Sequence, residues 1–385
     1  MNILFIATAF TPNISGVSIS SARFRDGLVA LGHKVIVLAP HYKGHQEKDP
    51  TVIRFPTAPN PLYPDYPFVR FSLDKKLRER LSQEQIQVVH VMQPFTTGRF
   101  GLRIARTLEI PLVFTHHARY DLYAHYIPLL PSAIASRLTQ RSVTRFANKC
   151  DHLIAPSQST KDFMLSKKIT KPISVIPTGL ARMYKDPTPK AELRTRQGLP
   201  QNSLVMLFVS RIAIKDKNLL LLLDMLPIVL KRYPSAQLVL VGGGPDVESM
   251  RLRIKQRGLQ NNVQLIGPIQ NDRLSTWYSA ADLFVFPSVS ETQGLITLEA
   301  LSAGLPVIAV QAPGNTDIIK NQSNGLLTNN NAQDFAEAIL RAYGNTALYE
   351  QMSQAAWRSA KKYTVSNSAQ MLAAVYNKLI GTASV

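Results

Sequence analysis

The chain has 385 residues, 45% hydrophobic and 18% charged, which suits two well-cored domains and excludes a disordered protein. Lysine plus arginine outnumber aspartate plus glutamate 44 to 25, a net charge of +19, and the excess is concentrated early, with 26 basic against 12 acidic residues through Lys190. The first half should therefore meet something anionic (nucleic acid, a phosphorylated substrate or a membrane surface), while the single Cys150 excludes an internal disulfide.

The opening Met1–Ala7 lacks a positive leader and is too short for a signal segment, so it reads as a first strand, Ile3–Ala7. Further strand-like runs follow at Lys34–Leu38, Val52–Phe55, Gln87–Val91, Pro111–Thr115, His152–Ala155 and Ile173–Ile176. A second series runs Leu204–Val209, Gln237–Val241, Val263–Ile266, Leu283–Phe286, Pro306–Val310 and Gly325–Leu327. Helix-period segments separate most of them, the pattern of parallel sheets covered on both faces. Two such series predict an α/β protein of two doubly wound domains, 1–185 and 186–364, hinged over Pro177–Pro200. A final helix near Val365–Ile380 gives a third segment, 365–385, expected to pack back on the first domain. No apolar stretch is long enough to span a bilayer; Leu219–Leu230 is interrupted by Asp224 and Pro227 and reads as a buried helix. The expectation is a cytoplasmic protein that touches a membrane without crossing it. Open α/β sheets bind ligands beyond the carboxyl ends of their strands, so chemistry is expected in a central cleft between the domains.

In chain order, the first polar loop is Phe10–Ser18, where Gly16 at a helix start could admit a phosphate or a hydroxyl; an ordinary strand–helix turn fits the spacing equally. Leu73, Leu77 and Leu81 recur every fourth residue among Lys75, Lys76, Arg78 and Arg80, an amphipathic basic helix. His90 and Gln93 fall at or beyond the carboxyl end of a strand. The next strand ends in Thr115-His116-His117-Ala118-Arg119-Tyr120-Asp121, followed by Tyr123, His125 and Tyr126. This set does not have zinc-site spacing, and no metal is expected. Tyr126–Pro131 is an apolar turn suited to lipid headgroups, and Arg137, Arg141 and Arg145 recur beyond it, with Ile134, Leu138 and Phe146 read as lying on other faces. Basic faces of this kind are also ordinary solvated surfaces; their position in the first domain favours an anionic membrane.

In the second half a strand runs into Ser210-Arg211, with Lys215, Lys217 and Asn218 close behind; converging cations there would hold a diphosphate. Gly242-Gly243-Gly244-Pro245 is a glycine turn at a strand end and does not form the dinucleotide fingerprint. The richest stretch is Asp282–Leu301. A buried strand ends at Phe286, a polar loop carries Glu291, and a helix begins near Gly294 with Glu299 inside it. Gly294 admits close approach of a ligand, and the free N–H groups of Gly294, Leu295 and Ile296 form an anion site.

These pieces, with Trp277–Asp282 and Gly304-Leu305-Pro306, resemble the retaining GT-B nucleotide-sugar glycosyltransferases of family 4, over about residues 2–360. The resemblance implies two Rossmann-like domains facing a cleft, Arg211 and Lys217 on the donor diphosphate, Glu291 on the sugar and Glu299 on the ribose. The family usually places its lysine five positions after the arginine, whereas here Asp216 is fifth and Lys217 sixth. Either the loop carries an extra residue or Lys215 takes the role. Ser15 also stands where the family usually has a first glycine.

Thr115, His117, Tyr120, Tyr123, His125, Tyr126 and Ile127 resemble a subgroup, the bacterial enzymes that glucosylate diacylglycerol, although Ala118 and Arg119 depart from its common form. That resemblance implies His117 beside the reacting centre, with His90, Tyr120 and Tyr126 the candidates on the acceptor side. It also implies UDP-glucose as donor, a lipid acceptor, transfer with retention, no tightly bound cofactor and a divalent cation that at most stimulates. The rivals are the same fold acting on a polysaccharide, a glycosylated lipid or a phosphoinositide, a nucleotide-sugar epimerase, and a basic nucleic-acid binder. The last lacks stacking aromatics among its basic runs, so no nucleic-acid partner is expected. Base, sugar and oligomeric state stay open.

Overall fold

Strand and helix alternate along the chain as the apolar pattern requires. The computed structural model describes residues 1–13, 15–58, 68–70, 72–122 and 130–383. They form two units, Met1–Ala181 with Tyr363–Val385, and Arg182–Lys362.

The first unit runs β1 (Asn2–Ile6), α1 (Gly16–Ala30), β2 (Lys34–Pro40), β3 (Val52–Phe55), β4 (Thr57–Ala58), β5 (Phe68–Val69), α2 (Lys75–Gln83), β6 (Val88–Val91), α3 (Thr96–Leu108), β7 (Leu112–Thr115), α4 (Ser132–Ala147), β8 (His152–Ala155), α5 (Gln158–Ser166) and β9 (Ile173–Val175). Seven strands form a parallel sheet ordered β3-β2-β1-β6-β7-β8-β9, and β4 and β5 make a small antiparallel pair. Period-two alternation divides the core. Leu4, Ile6, Val89, Val91, Leu112 and Phe114 face the side covered by α2, α3, α4 and α5, whereas Ile3, Phe5, Val88 and Val113 face α1. Strand order reverses between β1 and β6, the crevice at which such sheets bind ligands.

The second unit runs α6 (Lys190–Arg196), β10 (Val205–Val209), α7 (Leu220–Arg232), β11 (Gln237–Val241), α8 (Val247–Gln256), β12 (Val263–Gly267), α9 (Leu274–Ala280), β13 (Leu283–Phe286), α10 (Leu295–Ser302), β14 (Val307–Val310), α11 (Asn315–Ile318), β15 (Gly325–Thr328), α12 (Ala332–Gly344) and α13 (Thr346–Ala360). Its six parallel strands are ordered β12-β11-β10-β13-β14-β15, with the reversal between β10 and β13. Helix α7 continues through Pro227; its buried leucines hold it to the sheet despite the lost backbone donor. Asp282, just before β13, accepts from Arg194 (2.6 Å), Lys190 (3.0 Å) and the backbone N–H of Val205 (2.8 Å), which fastens α6 to the sheet.

The chain then re-enters the first unit. Leu180 N–H donates to Tyr363 O, and α14 (Val365–Ala383) lies on α1, burying Ala369, Leu372 and Tyr376 against the β1 side of the core. A methyl group at Gly27 of α1 would stand 2.7 Å from the Ala369 side chain, so the two helices can approach this closely only through a glycine.

Candidate active site

In the second unit the site residues cluster where strand order reverses. The loop after β10 carries Arg211, Lys215 and Lys217, and the loop after β13 carries Glu291. Asn218, in left-handed conformation, donates to Pro287 O (3.1 Å) and Asn330 Oδ1 (2.8 Å), and Ser290 Oγ donates to Asp216 O (3.1 Å), so the two loops are stitched together. Lys217 Nζ lies 2.5 Å from Glu291 Oε1, which also accepts from Ser288 Oγ at 2.9 Å. Both members of the pair keep 16% side-chain exposure. Lys215 and Arg211 point to solvent, and Arg211 makes no ion pair among the described residues. The loop therefore places Lys217 at Glu291 and Lys215 outside.

The glycine turn has a backbone reason. A Cβ on Gly242, at φ 147°, would stand 1.8 Å from Ser210 O, because the loops after β10 and β11 are pressed together and Ile212 N–H donates to Gly243 O. Gly294 holds the left-handed conformation (φ 73°) before α10, leaving the first N–H groups from Leu295 onward at the loop. Inside α10, Glu299 is almost fully buried. The Tyr184 and Tyr278 hydroxyls donate to its two oxygens at 3.1 and 3.2 Å, and Asn271 Oδ1 lies 2.7 Å from the Tyr184 hydroxyl. Tyr278 lies in the Trp277–Asp282 stretch that carries the resemblance, which gives it no role of its own, whereas Tyr184 does not stand out in the sequence: it comes from the segment before α6, 115 positions away.

In the first unit, α1 opens at Gly16, where an added methyl would meet nothing within 4 Å; Ser15 is the N-cap, accepting from Ser18 N–H. Thr8 Oγ1 donates to Gln93 Oε1, joining the loops after β1 and β6 at the point of reversal. His117 follows β7, partly buried, and burial first and the neighbouring His116 second bring its pKa down to about 3. His116 is wholly buried and lowered to about 4, chiefly by burial. Its ring stands edge-on to Tyr120, whose hydroxyl burial pushes well above the ordinary phenol range. Both imidazoles are neutral at pH 7. Asp121 is taken up by Arg119, which donates at 3.0 and 2.8 Å and lies over the Phe163 ring. No group of metal-ligating side chains is found among the described residues.

His90 requires a correction. It is fully buried inside β6, with Nε2 2.6 Å from Thr115 Oγ1 and Nδ1 2.5 Å from Tyr376 Oη. Both ring nitrogens are engaged in tying β6 to β7 and α14, so it is a core residue with no atom left for an acceptor. Tyr126 lies outside the described residues, as do Tyr123, His125 and Ile127.

The basic helices differ from each other. In α2, Lys75, Lys76 and Arg78 are exposed and Arg80 is half-buried on Pro50 O, while Leu73, Leu77 and Leu81 are all buried in the core. In α4, Arg137, Arg141 and Arg145 are exposed, and so are Ile134 (50%) and Leu138 (49%). At 100° per residue these five share one outward stripe, which corrects the separate faces expected for Ile134 and Leu138; Phe146 is buried. No helix among the described residues is long and apolar enough to cross a membrane.

Two family profiles match the chain: Glycosyltransferase Family 4 over residues 14–181 and Glycosyl transferases group 1 over residues 189–358. An alpha-monoglucosyldiacylglycerol synthase of Streptococcus pneumoniae is 32% identical over 345 residues, covering 88% of this chain and 77% of that protein. One of Acholeplasma laidlawii is 29% identical over 393 residues, 99% of this chain and 98% of that protein. Among solved structures, HepE of Anabaena in complex with UDP-glucose matches with a TM-score of 0.77 at 20% identity, over 98% of this chain and 100% of that one. With its two parallel-sheet Rossmann-like units and these relatives, the chain belongs to the GT-B glycosyltransferases of family 4 and group 1.

Proposed function

We propose that the protein is a retaining hexosyltransferase that moves glucose from UDP-glucose to a lipid hydroxyl, that of 1,2-diacylglycerol, at the inner surface of the cell membrane. The observation that carries this reading is the Lys217–Glu291 pair beside the Gly294-led start of α10, at the reversal between β10 and β13. A cation, a carboxylate and a row of backbone N–H donors at one strand end are what a sugar diphosphate needs. Arg211 and Lys217 take the diphosphate and stabilise its charge as the bond to the sugar breaks. The N–H groups at Gly294 and Leu295 assist them. Glu291 accepts from sugar hydroxyls, and Glu299, held by Tyr184 and Tyr278, accepts from the ribose.

On the acceptor side, His117 is neutral at pH 7 and serves as a hydrogen-bonding partner of the sugar or the acceptor, not as a titrating base. The leaving diphosphate helps to remove the acceptor proton on the face from which it departs. Tyr120 completes this side, and the space beside Gly16, open among the described residues, admits a donor phosphate or the acceptor hydroxyl. The names of the two synthases support diacylglycerol as acceptor, and the name of the Anabaena complex supports UDP-glucose as donor. The outward stripes of α2 and α4 supply the membrane contact. No tightly bound cofactor is required, and a divalent cation only stimulates.

The test is transfer of radiolabelled glucose from UDP-glucose into a chloroform-soluble product in mixed micelles of diacylglycerol, with and without anionic lipid. An α-glucoside formed faster with anionic lipid is the expected result. Turnover onto water-soluble sugars alone would refute the lipid acceptor, and a β-glucoside would refute retention.

A further inference from the structure

The first unit carries a third basic stripe, on α3. Arg99, Arg103 and Arg106 recur at positions i, i+4 and i+7, all exposed, and with Leu102 and Thr107 they line a shallow groove of about 310 Å3. Their guanidinium groups make no ion pair or hydrogen bond among the described residues, whereas Arg54, Arg119 and Arg194 in the same chain are paired with carboxylates. The opposite face of α3 is fixed, with Phe100, Ile104 and Ala105 buried in the sheet core. Three like charges are thus held along about 10 Å of helix, a repulsive arrangement that a bound anion relieves.

The neighbours narrow the anion. Helices α2, α3 and α4 cover the same side of the sheet, and together they hold ten basic side chains and one acidic, Glu79. Beside α3, the outward stripe of α4 is half apolar through Ile134 and Leu138, and Leu130 ahead of it is 44% exposed. A nucleic-acid backbone has no use for exposed aliphatic side chains, and α3 offers no aromatic for a base to stack on. A bilayer interface uses both, with charge at the phosphates and aliphatic groups just below.

We propose that Arg99, Arg103 and Arg106 form a binding site for the phosphate of an anionic phospholipid, lying between the basic faces of α2 and α4. The proposal rests on the membrane reading above and adds a discrete headgroup site to it. Guanidinium forks grip phosphate oxygens two at a time, which an ammonium group cannot do, so the site should distinguish arginine from lysine.

The full-length protein is floated with vesicles of phosphatidylcholine, with and without phosphatidylglycerol. In R99Q/R103Q/R106Q, partitioning onto the anionic vesicles should fall about a hundredfold, each arginine near a charged leaflet accounting for about fivefold. In R99K/R103K/R106K it should fall severalfold. A charge-matched control on exposed positions of α8 in the second unit, R251Q/R253Q/K255Q, should change it less than the lysine variant does. Thermal midpoint and UDP-glucose binding should stay as in the wild type, since the three arginines support no packing.

Equal flotation of wild type and lysine variant would overturn the site and leave only a diffuse field, as would an equal loss in the α8 control. Displacement of the wild type by millimolar inorganic phosphate, with the vesicles otherwise intact, would move the site to a soluble phosphate ester. Binding to duplex DNA that disappears in the glutamine variant would reassign it to nucleic acid. Failure of the wild type itself to float would refute the membrane reading as a whole, whereas a floating wild type matched by its glutamine variant would refute this site alone.

Discussion

At the scale of the residue, the loop after β10 makes a distinction the sequence left open. Lys217 is 2.5 Å from Glu291 and Lys215 faces solvent, although either could have served by spacing. If Lys217 holds the leaving diphosphate, Lys217→Ala should lower kcat by about two orders of magnitude, as loss of one charge-stabilising donor does elsewhere. Lys215→Ala should stay within a few fold. Equal losses in steady-state assays would return the role to the loop as a whole. Glu291→Ala and Arg211→Ala should abolish transfer with the unfolding midpoint kept within a degree or two, since neither side chain supports a core. The Tyr184 and Tyr278 hydroxyls act one step back, through Glu299. Removing one, as in Tyr278→Phe, should raise the KM for UDP-glucose by about ten- to a hundredfold, the worth of one hydrogen bond to a charged group, and leave kcat near the wild-type value.

At the scale of the element, Asp282 shows why a motif residue need not be a site residue. Its carboxylate accepts from Arg194, Lys190 and the Val205 backbone, with both the aspartate and Arg194 largely buried. Asp282→Ala leaves the guanidinium buried without its partner and should destabilise the second unit by about 3–5 kcal/mol, measured by urea unfolding. The strands were legible in the sequence because β-branched and aromatic runs covered on both faces have few other ways to fold, and the glycine and acidic positions after them followed from strand–loop–helix order. What escaped depends on which way a helix faces. The period of α4 puts Ile134 and Leu138 on the same stripe as its arginines, but only packing of Val143 and Phe146 into the core shows that this stripe faces outward. Arg99, Arg103 and Arg106 are spaced as regularly, yet the glycines and phenylalanine between them conceal the pattern until Phe100 is seen inside. Spacing could not reveal that His90 is enclosed, because a polar residue at a strand's carboxyl end is equally compatible with a site.

At the scale of the whole molecule, the histidines predict how stability varies with acidity. Burial lowers His90 to about 3 and His116 to about 4, from an ordinary imidazole value of 6.5. The unfolded chain therefore takes up protons below pH 6.5 that the native protein refuses until near pH 4, so stability is fully present above pH 6.5 and falls as pH falls through this window. Each such histidine contributes a slope of about 1.4 kcal/mol per pH unit, so these two give nearly 3 kcal/mol per unit between about pH 6 and 4. Both side chains are 1% exposed or less, so solvent screens this little. The carboxylates lowered by their arginine or threonine neighbours, such as Asp49 and Asp121, titrate below this range and add their loss later. Urea midpoints at pH 7.5, 6 and 5 should decline in that order, and His116→Gln should flatten the decline by about a third, since His90 and His117 are lowered in the same way. A flat profile between pH 7.5 and 5 would mean that these imidazoles are protonated inside the fold. The neutral His117 would then lose its support as well, since its low pKa has the same origin, and a general base would have to be considered in place of the hydrogen-bonding role assigned to it.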